Sequence, residues 1–322
     1  MQQQHLLSLG ALLFCAPALA AELPGLHADI SAVTVSGVSS GGYMAVQMHV
    51  AHSASVKGAG VIAGGPYYCA MGSLRTAYYN CMTPGWWTPL PRAAFLKSAT
   101  DGVAAAGRID ATAHLSTAKV WLFTGTRDHT VLPEVVRELE AYYALYGIRA
   151  KLVADKPAGH AMVTTDAGNK DCAATKDPYI NDCDYDAAGE LLRHLIGPLK
   201  PAGKDGPLRE FDEGFVYVPG DCEKARCRVH VVFHGCRQSS GEIGDRFARE
   251  AGYNRWAETN RLIVLYPQVK ATWFPFNPRA CWDWWGYTDA AYHTKDGAQI
   301  RAVWAMLERL GAPRQSASAI VK

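Results

Sequence analysis

Net charge is nearly absent from this chain: 32 Lys and Arg face 30 Asp and Glu, leaving a balance of +2. Such neutrality gives no electrostatic basis for a nucleic-acid or anionic-membrane partner. Long apolar runs are missing too, for none reaches the roughly 18 residues that a spanning helix requires. No C-x₂-C pair occurs, and there is no internal repeat or low-complexity tract. Zinc-ribbon and solenoid readings therefore lack their usual signatures. What remains is ordinary globular composition, 49% hydrophobic and 19% charged over 322 residues, enough for one large α/β domain or two small ones.

Lys and Arg are also missing from Met1-Gln2-Gln3-Gln4-His5, which makes a poor opening for an export signal. The following residues fit one well: Leu6 to Leu19 is almost unbroken apolar sequence, and Ala18-Leu19-Ala20 is an A-x-A cleavage signature. A signal peptide is expected over 1–20, with a buried amino-terminal helix as the alternative and a single catalytic domain over 21–322. Cysteine usage points the same way. Without Cys15, eight of the nine cysteines remain, an even number. Three sequence-close pairs stand out, Cys69 with Cys81, Cys172 with Cys183 and Cys222 with Cys227, leaving Cys236 and Cys281 for a long-range pair. Disulfides in an oxidising compartment are expected, periplasm or medium, each contributing about 2–4 kcal/mol.

Along the mature chain, β-rich apolar runs alternate with helical patterns. Strands are expected at 32–36, 58–63, 119–124, 149–153, 229–233 and 262–266. Helices are expected at 41–52, 132–146, 186–196, 246–259 and 297–310; in the last, Ile300, Val303, Trp304, Leu307 and Leu310 form one stripe. Alternation of this kind predicts a mostly parallel sheet covered on both faces. The Pro- and Gly-containing stretch 198–207 reads as a surface connection within one domain.

One motif on this frame carries chemistry. Gly37-Val38-Ser39-Ser40-Gly41 matches the G-x-S-x-G nucleophile elbow, with an expected strand before it and a helix after it. The elbow works because a tight strand-to-helix turn raises one hydroxyl above the sheet edge, and small neighbours permit that backbone. A serine nucleophile needs a base, and the base needs an orienting acid. Asp128 follows the expected strand 119–124, and His160 follows 149–153, in the order Ser, acid, His. Both lie where catalytic groups of parallel sheets collect. His129 and Asp155 are the competing choices, the first beside the proposed acid and the second only a few residues from His160.

The oxyanion hole should draw one amide from Ser40 and another from a His-Gly loop. That loop exists as His234-Gly235-Cys236-Arg237-Gln238, but it follows the serine where unpermuted α/β-hydrolases place it before. After it come the strand 262–266, the helix 297–310 and the end of the chain, while the amino end opens on the elbow strand. A circular permutation between that helix and the elbow strand accounts for the order.

These stretches resemble the circularly permuted poly(3-hydroxybutyrate) depolymerases, secreted α/β-hydrolase serine esterases. The similarity runs through the elbow segment, Gly125-Thr126-Arg127-Asp128, Gly159-His160-Ala161, Phe233-His234-Gly235-Cys236-Arg237-Gln238 and Asn277-Pro278-Arg279-Ala280-Cys281-Trp282-Asp283-Trp284-Trp285. The resemblance implies Ser39 as nucleophile, Asp128 as acid, His160 as base, and the amides of Ser40 and Cys236 as oxyanion donors. It also implies a Cys236–Cys281 bridge fastening the oxyanion loop to the tryptophan loop. The implied partner is a polyester or oligoester, hydrolysed through an acyl-enzyme without cofactor or metal by a chain expected to act as a monomer. Polymer binding asks for apolar surface, for which Tyr43, Trp282, Trp284 and Trp285 are the candidates, with Trp86-Trp87 behind them. Two other readings stand beside this one: a feruloyl- or acetylxylan-type carbohydrate esterase, and a non-catalytic secreted binding protein on a hydrolase scaffold.

Overall fold

The computed structural model describes residues 22–165, 168 and 170–314. The expected signal segment lies outside them. In chain order the first half holds β1 (Asp29–Val38), α1 (Ser40–Ala51), β2 (Val56–Ile62), α2 (Leu74–Cys81), α3 (Ala93–Ala105), β3 (Lys119–Phe123), α4 (Pro133–Ala144) and β4 (Lys151–Val153). Short strands β5 (Met162–Thr164), β6 (Lys170–Asp171) and β7 (Ile180–Asp182) follow, then α5 (Ala187–Ile196) and the pair β8 (Leu208–Phe211) and β9 (Gly214–Tyr217). The remainder is β10 (Arg228–Phe233), α6 (Ser240–Ile243), α7 (Arg246–Glu250), α8 (Tyr253–Thr259), β11 (Leu262–Pro267) and α9 (Ala298–Gly311).

Eight strands form one sheet in the order β4-β3-β2-β1-β10-β11-β9-β8. Pairing is parallel from β4 across to β11; β9 runs antiparallel to β11, and β8 antiparallel to β9. Alternate residues of the strands feed two cores. Val33, Val35, Val120, Leu122, Val229, Val231, Ile263 and Leu265 enter one. Trp121, Phe123, Val232, Leu262, Val264 and Tyr266 enter the other. A period of two with both faces apolar is the signature of a sheet covered on each side. Helix α1 is buried along its whole length beneath the centre of the sheet, which is why its sequence shows no polar face. Of the expected stripe on α9, Ile300, Val303, Leu307 and Leu310 are buried while Trp304 stays partly exposed.

The expected α/β class and its six strands are present within a residue or three of their predicted bounds. The helix expected over 246–259 is instead two helices, because Gly252 adopts φ +86 between them and reverses the chain. Helices α2 and α3 and the β8–β9 hairpin were not anticipated. The stretch 198–207 joins α5 to β8 of the same sheet. All four expected disulfides form: Cys69–Cys81, Cys172–Cys183, Cys222–Cys227 and Cys236–Cys281. Among the described residues no helix is long and apolar enough to cross a membrane, and no group of three acidic, His or Cys side chains could hold a metal ion.

Acid stability follows from three histidines inside this fold. Burial lowers His49 and His230 to about 3 and His234 to about 4, so each is neutral when folded. The unfolded chain takes up these protons near pH 6.5, while the folded chain refuses them until pH falls to their lowered values. Their stabilising contribution is therefore complete above pH 6.5 and declines below it, by about 1.4 kcal/mol per histidine per pH unit. The urea midpoint is expected to drop steeply between pH 7 and pH 4.5; an unchanged midpoint overturns this account.

Candidate active site

Ser39 occupies the single residue between β1 and α1, with φ 57 and ψ −124. A side-chain-bearing residue rarely adopts positive φ, and such strain collects at functional turns. The flanking glycines are required by close backbone contact. A Cβ on Gly37 would lie 2.2 Å from the Gly41 carbonyl oxygen, and one on Gly41 would lie 2.3 Å from that of Phe233. The elbow is thus pressed against the end of β10, with Gly37 paired to Phe233 across the ladder. Adjacent parallel strands bring residue 39 and the His-Gly loop together despite their distance in sequence.

The loops after β3 and β4 are zipped to each other. The amides of Thr126 and Arg127 donate to the carbonyls of Lys156 and Ala158 at 2.8 and 3.1 Å. Gly125 fits only without a side chain, since a Cβ there would meet the Ala158 carbonyl oxygen at 2.0 Å. This zip places Asp128 Oδ2 2.8 Å from His160 Nδ1. The other carboxylate oxygen, Oδ1, accepts the amides of Thr130 and Val131, both at 2.9 Å. Asp128 is buried and His160 nearly so. The His160 backbone is held in turn: its amide donates to Thr175 Oγ1 at 2.9 Å, and the Gly159 amide to the carbonyl of Cys172, one end of a disulfide, at 2.8 Å. With Nδ1 engaged by the carboxylate, Nε2 is the ring nitrogen left for chemistry. The competing residues point away from this pair: His129 is exposed, and Asp155 pairs with Lys156 at the surface.

The loop after β10 is organised around the Cys236 amide, which has no hydrogen-bond partner among the described residues. Gly235 donates its amide to Gln238 Oε1 at 2.8 Å, and Gln238 Nε2 donates to the carbonyls of Pro178 and Tyr179. His234 Nε2 accepts the Val269 amide at 3.2 Å, so its proton resides on Nδ1, which donates to the Gly235 carbonyl at 2.7 Å. Cys236 comes next, bridged to Cys281, and the Arg237 amide donates to the Arg279 carbonyl at 2.8 Å. A Cβ on Gly235 would stand 3.4 Å from that of Ser39, which places the loop directly over the elbow.

Two adjoining cavities of about 290 Å³ each meet at Ser39, sharing Met82, Cys236 and Arg279. One contains His160, Thr130, Thr175, Tyr179 and Arg237. The other is apolar, lined by Tyr43, Leu74, Tyr78, Phe276, Trp284 and Trp285. Tyr43 and Trp284 stack at 3.8 Å with planes 9° apart, and Trp285 stands edge-on to Trp284. Trp282 departs from expectation: it is core, packed on Phe233 at 5.0 Å, and faces a separate cavity with Val303 and Met306. Its backbone amide reaches Ser40 Oγ at 3.3 Å, so it supports the elbow from behind. Trp86 and Trp87 line neither cavity and are almost fully exposed, at 88% and 89%. Met82 and the α2 residues Leu74 and Tyr78 were missed because α2 itself was not recognised. Arg279 lies in the segment Asn277–Trp285, where a lone arginine beside three tryptophans carries no sequence sign of a place in the cavity wall.

A strained serine elbow at the centre of an α/β sheet, beside a buried Asp–His pair, is the architecture of the serine hydrolase class. The chain is 42% identical over 315 residues to a poly(3-hydroxybutyrate) depolymerase of Delftia acidovorans, covering 91% of this chain and 62% of that protein, under two thirds of its length. It is 35% identical over 337 residues to the polyhydroxybutyrate depolymerase of Talaromyces funiculosus, covering 95% of this chain and 96% of that one. The crystal structure of the PHB depolymerase from Penicillium funiculosum superposes with a TM-score of 0.82 at 32% identity, over 92% of this chain and all of that one. A serine-to-alanine variant of a PHB depolymerase, complexed with an R3HB trimer, superposes equally well. No family model matches. The chain belongs to the poly(3-hydroxybutyrate) depolymerase family.

Proposed function

We propose that this protein hydrolyses the ester bonds of poly(3-hydroxybutyrate) or its oligomers, with Ser39 as nucleophile, His160 as base and Asp128 as orienting acid. His160 Nε2 takes the Ser39 proton as Oγ attacks the ester carbonyl; Asp128 holds the imidazole and stabilises its charged form. The amides of Ser40 and Cys236 receive the charge that develops on the carbonyl oxygen, each worth roughly 10²–10³ in rate. His160 then protonates the departing alcohol, and water releases the acyl group from Ser39. One observation carries this reading: His160, held by Asp128 at 2.8 Å, lines the same cavity as the strained Ser39. Aromatic residues of the wall, Tyr43, Trp284 and Trp285, supply the apolar surface for methyl-bearing units.

An insoluble polymer is favoured by the surroundings of the cavity. Phe276 and Tyr78 of its wall are 61% and 52% exposed, and Trp273 and Phe274, just before Phe276 in the chain, are 81% and 97% exposed. Contiguous exposed apolar surface on a protein of this size marks contact with another apolar body. We read residues 21–322 as one permuted catalytic domain. The amides of Leu26 and Ala28, just before β1, donate to the Leu310 carbonyl of α9, so the two ends adjoin as a permutation requires. Export through the 1–20 signal and a monomeric state complete the proposal, the four disulfides suiting an oxidising compartment.

The test is turnover of R-3-hydroxybutyrate trimer and polymer film beside feruloylated and acetylated sugars. Hydrolysis of the hydroxybutyrate esters at far higher kcat/KM is the expected result. A preference for the sugar esters overturns the substrate assignment, and failure of Ser39 to label with a fluorophosphonate overturns the enzyme.

A further inference from the structure

Charge is distributed unevenly in the two cavities beside Ser39. No Asp or Glu lines either one, yet Arg237 lines the His160 side and Arg279 lines both. Neither guanidinium has an ion-pair or hydrogen-bond partner among the described residues. Both sit on the loops that the Cys236–Cys281 bridge and the Arg237 amide to Arg279 carbonyl bond fasten together. Arg237 takes φ +63, a conformation that favours glycine, and holds it beside the free Cys236 amide. Two unneutralised guanidiniums in a cavity without acids are matched to an anion, and carboxylate is what the planar fork of arginine accepts best.

The interior of a hydroxybutyrate polyester is neutral. Its one ionised group is the terminal carboxylate. Direction then decides which side of the scissile bond that group occupies. On attack at an ester carbonyl, the acyl part bound to serine retains the hydroxyl end, and the departing alcohol retains the carboxyl end. His160 must protonate that alcohol, so the leaving part lies in the His160 cavity and the acyl part lies among Tyr43, Trp284 and Trp285. Arg237 is on the leaving side, and Arg279 stands where the two cavities meet, within reach of the leaving part.

The geometry points to Arg237 and Arg279 as a carboxylate clamp for the leaving hydroxyacid, making this enzyme cut a set number of units from the carboxyl end. The inference rests on the ester-hydrolase reading above and adds to it the polarity and register of cleavage. The clamp acts in binding: it does not touch the reacting carbonyl but holds the far end of the leaving group, so its loss raises KM for acid-ended oligomers.

The experiment compares R-3-hydroxybutyrate tetramer as the free acid with the same tetramer capped as a carboxyl methyl ester. The wild-type protein is expected to favour the free acid by about tenfold or more in kcat/KM, the size of one charge-assisted contact or two. In the double variant Arg237→Gln/Arg279→Gln that ratio is expected to fall to about one, through KM for the free acid. Arg237→Lys/Arg279→Lys is expected to keep part of the preference, because the charge remains while the bidentate geometry is lost. Equal rates on acid and methyl ester in the wild type, or a preference that survives in the Gln variant, overturn the clamp and leave the hydrolase standing. Absence of turnover on both tetramers overturns the hydrolase and the clamp with it.

Discussion

Ser39→Ala is expected to lower kcat on R-3-hydroxybutyrate oligomers by about 10⁶-fold, to the level set by binding and the oxyanion donors alone. The loss is large because the acyl-enzyme route disappears: no other hydroxyl stands where the elbow places this one. Binding should persist, since the cavity walls on both sides of residue 39 are built from α1, α2 and the loops joined by the Cys236–Cys281 bridge. Thermal stability should persist as well. The positive φ at residue 39 is imposed by the contacts of Gly37 and Gly41 with the end of β10, and alanine bears that φ no worse than serine. The change in unfolding free energy is therefore expected within about 0.5–1 kcal/mol. Melting by circular dichroism and turnover of the trimer check the two halves together. Residual activity within tenfold of wild type removes Ser39 from the mechanism.

Why this site was legible in sequence is a matter of how it is encoded. The elbow is local: five consecutive residues between a strand and a helix, with glycines where the structure leaves 2.2 and 2.3 Å for a Cβ. Asp128 and His160 were found by position relative to strands, and strands with both faces apolar announce themselves as continuous runs such as 120–123. The placement of Cys236 over the elbow followed from resemblance, and its physical cause, the pairing of β1 with β10, is a contact between opposite ends of the chain that no local pattern contains. The walls were less legible. Helix α2 is short and keeps only Ala77 and Cys81 buried, so its sequence has no clear apolar stripe. Trp282 and Trp284 are two residues apart with the same composition around them, yet one packs on Phe233 in the core and the other on Tyr43 in the cavity wall. Loop direction decides between them, and a loop has no period from which to read direction. Arg237 and Arg279 were hidden for a different reason. An unpaired arginine is unremarkable in sequence and acquires meaning only when the fold shows the absence of acids around it.

The second large effect is expected from Asp128→Asn, an isosteric change that alters where protons sit. In the wild-type protein Asp128 Oδ1 accepts two backbone amides, from Thr130 and Val131, and Oδ2 accepts the proton of His160 Nδ1. An asparagine at this place has one acceptor oxygen and one amide donor. Two amides demand the oxygen, so the NH₂ group must turn to His160 Nδ1, where it donates. The imidazole is then driven to carry its proton on Nε2, the nitrogen that has to receive the Ser39 proton. Loss of the base in this way costs about 10⁴-fold in kcat while geometry is kept. KM should change little, because Asp128 lines neither cavity. The melting temperature should fall by only a few degrees, since both amide acceptor bonds are retained. Asp128→Ala gives the contrast: it leaves the Thr130 and Val131 amides buried without a partner, at about 1–3 kcal/mol each, so stability falls along with rate. A rate within tenfold of wild type for Asp128→Asn, or an equal loss of stability in the two variants, shows that the carboxylate is a structural cap for its own loop and that His160 is oriented by something else.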